Sequence, residues 1–123
     1  MKKGFLILVA AMFLSCQQEK KIEITASDYH KAVDQLTEVM VHDIFSPPVA
    51  SRIYAYPNIA AYEIIAQKDD KYKSVEGQMK DYLPTPKPTS DKVNMELAAL
   101  IAYMDVGRTL IFSEDKMIKY RDS

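Results

Sequence analysis

The chain has 123 residues and 16 basic against 17 acidic side chains, a formal charge of −1, with no basic cluster to hold nucleic acid. One cysteine excludes a disulfide within the chain, and three glycines leave no glycine-rich phosphate loop. No nucleophile–base arrangement and no cysteine–histidine metal spacing occurs either.

Residues 1–15 read as a removed targeting segment. Lys2 and Lys3 supply the positive start, residues 5–13 an apolar run too short to span a bilayer, and Ser15-Cys16 a small residue before cysteine. Phe13-Leu14-Ser15-Cys16 resembles the bacterial lipobox, with Phe13 where leucine is usual. The resemblance implies a lipid on Cys16 and a lipid anchor to the membrane of the cell envelope, on its periplasmic or surface side. Removal of residues 1–15 leaves 108 of the 123 residues, and 14 basic groups against 17 acidic ones sum to −3. Residues 16–26 are a polar tether.

With few glycines and no sustained alternation, residues 27–123 read as all-α, a helical bundle of four to five helices. Thr25 and Asp28 form a capping-box pattern, with Asp in place of Glu, opening a helix over 27–44. Tyr29, Ala32, Val33, Leu36, Met40 and Ile44 share its apolar face. His30, Asp34, Glu38 and His42 fall at intervals of four and are all metal-ligand types. They lie roughly 100° to 220° from that face, however, and each i+4 step drifts by about 40°. They read as the solvated side, with no metal site. Ser46-Pro47-Pro48 ends the helix, because a residue before proline is pushed out of the α region.

A second helix is expected over 48–68, with Pro48 at its first position and Pro57 inside it as a kink. Ile53, Tyr54, Ala60, Ala61, Ile64 and Ile65 cover one side, and Ala55, Ile59, Tyr62 and Ala66 much of the other. A helix apolar nearly all round is buried on several sides, which requires a larger protein. Asp43 sits on the apolar face of the first helix, and Arg52 across the Pro47-Pro48 corner is its expected ion-pair partner. Arg52 and Glu63 are about 16 Å apart along the helix, too far to pair directly. Tyr54, Tyr56, Tyr62 and Tyr103 read as core residues with satisfied hydroxyls.

Residues 69–74 break the pattern, 75–83 suggest a short helix, and the proline-rich 84–90 reads as a connector. A third long helix is expected over 91–112. Only Asp105 and Arg108 are charged between residues 97 and 112, while Ala98, Ala99, Ala102 and Gly107 allow close approach. A membrane span fails on length and on those two charges, each costing ~2.5–3.5 kcal/mol at a bilayer centre. Arg108 lies on the most apolar face, with its acidic partner expected beyond Ser123. Ser113-Glu-Asp looks like a new helix start with a capping serine. Its apolar pattern (Met117, Ile118, Tyr120) ends after about two turns, so the chain reads as the front of something larger.

The run from His42 through Pro47, Pro48, Ala50 and Arg52 to Ala60, Ala61, Tyr62 and Glu63 resembles the N-terminal helical region of bacterial vanadium-dependent haloperoxidase-like proteins. These belong with the type-2 phosphatidic acid phosphatases in one all-helical superfamily. Glu96 to Ala102, with Ile111-Phe-Ser-Glu-Asp115, looks like the next helix pair. The likeness covers about residues 27–123.

The resemblance implies a catalytic set of a lysine followed by Arg-Pro, a Ser-Gly-His segment, and an arginine with a second histidine, together holding vanadate or phosphate. This chain has no Arg-Pro pair and no Ser-Gly-His. It is therefore expected to be a non-catalytic N-terminal part, inactive alone, with no catalytic residues and no cofactor of its own. Its partners would be the remaining C-terminal helices, and the vanadate or phosphate would belong to a full-length relative. The alternative is a complete small helical lipoprotein acting as a binding or scaffold module. On the first reading the chain alone is not stably folded, because apolar faces stay open and Arg52, Glu63 and Arg108 lack partners.

Overall fold

The computed structural model describes residues 22–123; the targeting segment and Cys16 lie outside the described residues. Four helices follow in order: α1 (Ala26–His42), α2 (Pro47–Ala66), α3 (Met95–Arg108) and α4 (Glu114–Arg121). No strand occurs among the described residues, and none of their helices is long and apolar enough to cross a membrane.

The capping box opens α1 as expected. The Thr25 backbone N–H donates to Asp28 Oδ2 at 3.0 Å, and the Asp28 N–H returns the bond to Thr25 Oγ1 at 3.4 Å. The helix stops at His42, two residues early. The Ile44 N–H reaches the Val41 carbonyl and the Phe45 N–H reaches that of Met40, the paired bonds of a Schellman close. That close places Ile44 at φ 56°, a left-handed conformation costing a β-branched residue roughly 1–2 kcal/mol. Ile44, expected on the buried face, is 88% exposed.

The chain enters α2 through Pro47 and Pro48, which have no N–H to leave unsatisfied in a first turn. The helix continues through Pro57, whose ring is buried. Ile53, Pro57 and Ala61, spaced by four, form its core stripe. α3 is shorter than expected at both ends. Asn94 is its cap, with Oδ1 accepting from the Leu97 N–H at 3.0 Å while its amide group donates to the Ile22 carbonyl at 2.7 Å.

No helix forms over 75–83. Gly77 at φ +77° and Asp81 at φ 60° are left-handed, which a right-handed helix cannot absorb. Residues 67–94 instead form one long connector.

α3 packs most extensively on α2, with α1 and α4 flanking. Leu36, Val39, Tyr103 and Met117 are almost wholly buried at the centre. Gly107 explains the closeness, since a Cβ there would lie 3.2 Å from Leu36 Cδ2 and 3.7 Å from Pro57 Cγ. Three helices converge on the missing side chain. The second apolar side of α2 is only partly covered. Tyr56, Ile59 and Ala60 face Met79 and Tyr82 of the connector across a gap of about 420 Å³.

Candidate functional site

Asp43, the C-cap of α1, does not pair with Arg52. Its Oδ2 accepts the backbone N–H groups of Phe112 and Ser113, both at 2.9 Å, and its Oδ1 accepts the Ser113 hydroxyl at 2.6 Å. The carboxylate thus ties the α1–α2 corner to the α3–α4 turn, where the Phe45 and Phe112 rings stack with centroids 4.8 Å apart. Burial works to raise its pKa. The Ser113 hydroxyl and the two backbone N–H groups outweigh that and hold it below the ordinary 3.8. Ser113 consequently makes no capping bond of its own to α4. Arg52 is exposed and makes no ion pair among the described residues.

Glu63 is 2% exposed yet fully engaged, correcting the expected deficit. It accepts from the Ser74 hydroxyl at 2.6 Å, the Val75 N–H at 2.8 Å and the Thr85 hydroxyl at 3.4 Å. A buried carboxylate with several donors is a satisfied group rather than a liability.

Arg108 likewise finds its acids inside the chain. Its Nε donates to Asp105 and its Nη1 to Glu114, each at 3.1 Å, and Arg121 donates to the same Asp105 oxygen at 2.8 Å. These are half-exposed pairs of modest worth that fasten α4 to α3.

A vanadate or phosphate cradle needs several cationic donors converging on one anion. Of the three arginines, Arg108 is already paired with Asp105 and Glu114 and Arg121 with Asp105 and Asp122, and Arg52 stands on another helix. His30 and His42 are exposed on α1, about 18 Å apart along its axis. No group of three or more His, Cys, Asp or Glu among the described residues is placed to hold a metal ion. The residues present do not fit the group.

The tyrosines divide. Tyr54 shares a 2.8 Å hydrogen bond with Thr37, as a satisfied core hydroxyl should. Tyr103 is wholly buried, but among the described residues its hydroxyl has no hydrogen-bond partner. Its ring lies 5.0 Å from that of Tyr29, which donates to Asn58 at 2.9 Å. Burial pushes Tyr29 up to about 12 and raises Tyr103 as well. Tyr56 and Tyr62, expected in the core, are 50% and 37% exposed.

Beside Tyr29 and Asn58 opens an apolar groove of about 730 Å³. Ile24, Ile59 and Ile65 line its fixed side, and Tyr72 and Val75 of the connector form the opposite wall. The groove could not be read from spacing, because its walls come from four separate stretches of chain.

No family model and no curated protein matches the chain. Among solved structures it is similar to one described as the crystal structure of the first bacterial vanadium-dependent iodoperoxidase, with a TM-score of 0.80 and 51% identity. The match covers 85% of this chain and 26% of that one, so the chain spans about a quarter of that protein's length. Identity at this level over most of the chain places its helical segment in the vanadium-dependent haloperoxidase superfamily.

Proposed function

We propose that this segment is a non-catalytic helical part of a haloperoxidase-like lipoprotein whose vanadate- or phosphate-holding residues lie outside it. The observation that carries the reading is the pairing of Arg108 with Asp105 and Glu114 and of Arg121 with Asp105 and Asp122, which leaves no set of arginines to cradle an oxyanion. The segment's contribution is structural: a helical core, with Ile44 and Phe112 exposed for the remaining helices to cover. Likeness to an iodoperoxidase favours halide oxidation over phosphate-ester hydrolysis as the reaction of the whole protein. The purified chain should therefore show neither phosphatase activity nor vanadate-dependent iodide oxidation. Turnover above blank that disappears in His30→Ala or His42→Ala would overturn the reading.

The same proposal keeps a lipid on Cys16 as the membrane anchor. It is supported by the short apolar run that precedes Ser15-Cys16 and by the absence of any competing cysteine. Cys16→Ala should move the protein into the soluble fraction on detergent partitioning. A variant that stays membrane-bound would refute the anchor.

A further inference from the structure

We propose that the connector over 67–94 is a strap closing one side of the apolar groove, and that Glu63 is the latch that holds it. The inference is independent of the catalytic reading above. Connections longer than about 12–15 residues without secondary structure are uncommon in compact domains and are often functional; this one runs unbroken by a helix from Ala66 to Met95.

Its attachments are concentrated at one place. The Tyr62 hydroxyl donates to the Lys73 carbonyl at 2.8 Å, Glu63 accepts from Ser74, Val75 and Thr85, and the Gln67 amide donates to the Pro86 carbonyl at 3.2 Å. All three anchoring side chains stand at the C-terminal end of α2. They grip two short stretches, 73–75 and 85–86, and leave 76–84 as an arc containing the left-handed Gly77 and Asp81.

Glu63 is the member that joins both stretches. One carboxylate group accepts from residues 74 and 75 at one end of the arc and from residue 85 at the other. Apolar contact adds to the grip but does not join the two stretches: the Tyr72 ring meets that of Tyr62 edge-on with centroids 6.3 Å apart, while Leu83 is 82% exposed. Tyr72 and Val75 are also the movable wall of the groove, whereas Ile59, Ile65 and Ala99 stand on helices fixed by the core. Loss of the carboxylate would therefore free the strap and widen the groove without disturbing the helices.

The test is native-state hydrogen exchange and limited trypsin digestion of the full chain, comparing the wild type with Glu63→Ala and Ser74→Ala. Glu63→Ala should speed exchange of the Val75 amide and cleavage after Lys73 and Lys80 by about tenfold or more, the size expected for lost hydrogen bonds to a charged group. Core amides such as those of Leu36 and Tyr103 should keep their protection. Ser74→Ala, which removes one bond and leaves Glu63 in place, should give about threefold at the same sites. Val75 exchange within about twofold of wild type in Glu63→Ala would overturn the latch, as would an equal rise at the core amides. If Glu63→Ala does not fold, Ser74→Ala decides: unchanged cleavage at Lys73 and Lys80 refutes the proposal.

Discussion

On one side of α2, Ile53, Pro57 and Ala61 are buried in an apolar core with Leu36 and Tyr103, close against Gly107 of α3. On the other side, Tyr62, Glu63 and Gln67 hold a connector by hydrogen bonds, and none of the connector's apolar side chains is fully buried. The first attachment is non-directional and grows with buried area. The second is a few directional bonds to one buried acid, and its strength depends on that acid keeping every donor. A helix apolar nearly all round can thus have one side packed and the other merely strapped.

The largest way to break this contrast is Leu36→Ala. Leu36 is wholly buried and touches the space above Gly107, so truncation should cost about 2–5 kcal/mol. A thermal melt should move down, and hydrogen exchange should accelerate in α1, α2, α3 and the connector together, because the strap's anchors stand on α2. A connector that stays protected while the helices open would show that it does not depend on the core.

Tyr103→Phe sharpens the contrast from the opposite direction. Glu63 is buried with three donors, whereas the Tyr103 hydroxyl is buried with no hydrogen-bond partner among the described residues. Removing an unsatisfied hydroxyl while keeping the ring should stabilise the chain by about 1–3 kcal/mol, read as a higher melting temperature. A loss of stability would mean that the hydroxyl has a partner after all.

The packed side was more legible in the sequence than the strapped side. Local signals found α1 and the proline entry to α2, because a capping box and an X-Pro stop act over three or four residues. The fold class followed from helical spacing, and the superfamily from the Pro47–Glu63 run. Structure departs from the sequence pattern where short-range and long-range signals conflict. Capped by Asn94, α3 begins at Met95, four residues inside the expected start at 91, and the apolar pattern gives no hint of Gly77 and Asp81 turning left-handed. The polar anchors are hidden from the sequence for a different reason. Asp43 meets Ser113 seventy residues away and Glu63 meets Ser74, Val75 and Thr85 eleven to twenty-two residues away. Spacing along one helix cannot show such partners; it offers Asp43 the nearby Arg52 and offers Glu63 none. Supplying Glu63 and Arg108 with partners also removes part of the expected instability. What remains of it is exposed apolar surface, chiefly Ile44 and Phe112.

The smallest effect is expected at Asp43, a polar anchor on the edge of the packed side rather than on the strap. Its pKa lies below the ordinary 3.8 because the Ser113 hydroxyl and the N–H groups of Ser113 and Phe112 favour the charged carboxylate over the opposing effect of burial. A lowered folded-state value means that the charge stabilises the fold above the ordinary value. That contribution fades as pH falls through the lower folded one. Nothing should change at neutral pH. Below 3.8, the Ser113 and Phe112 amide resonances should shift together with a common midpoint, and the α3–α4 turn should exchange faster. In Asp43→Asn the acid-dependent shift at Ser113 should vanish. If it persists in that variant, a group other than Asp43 governs the acid response of the α3–α4 turn.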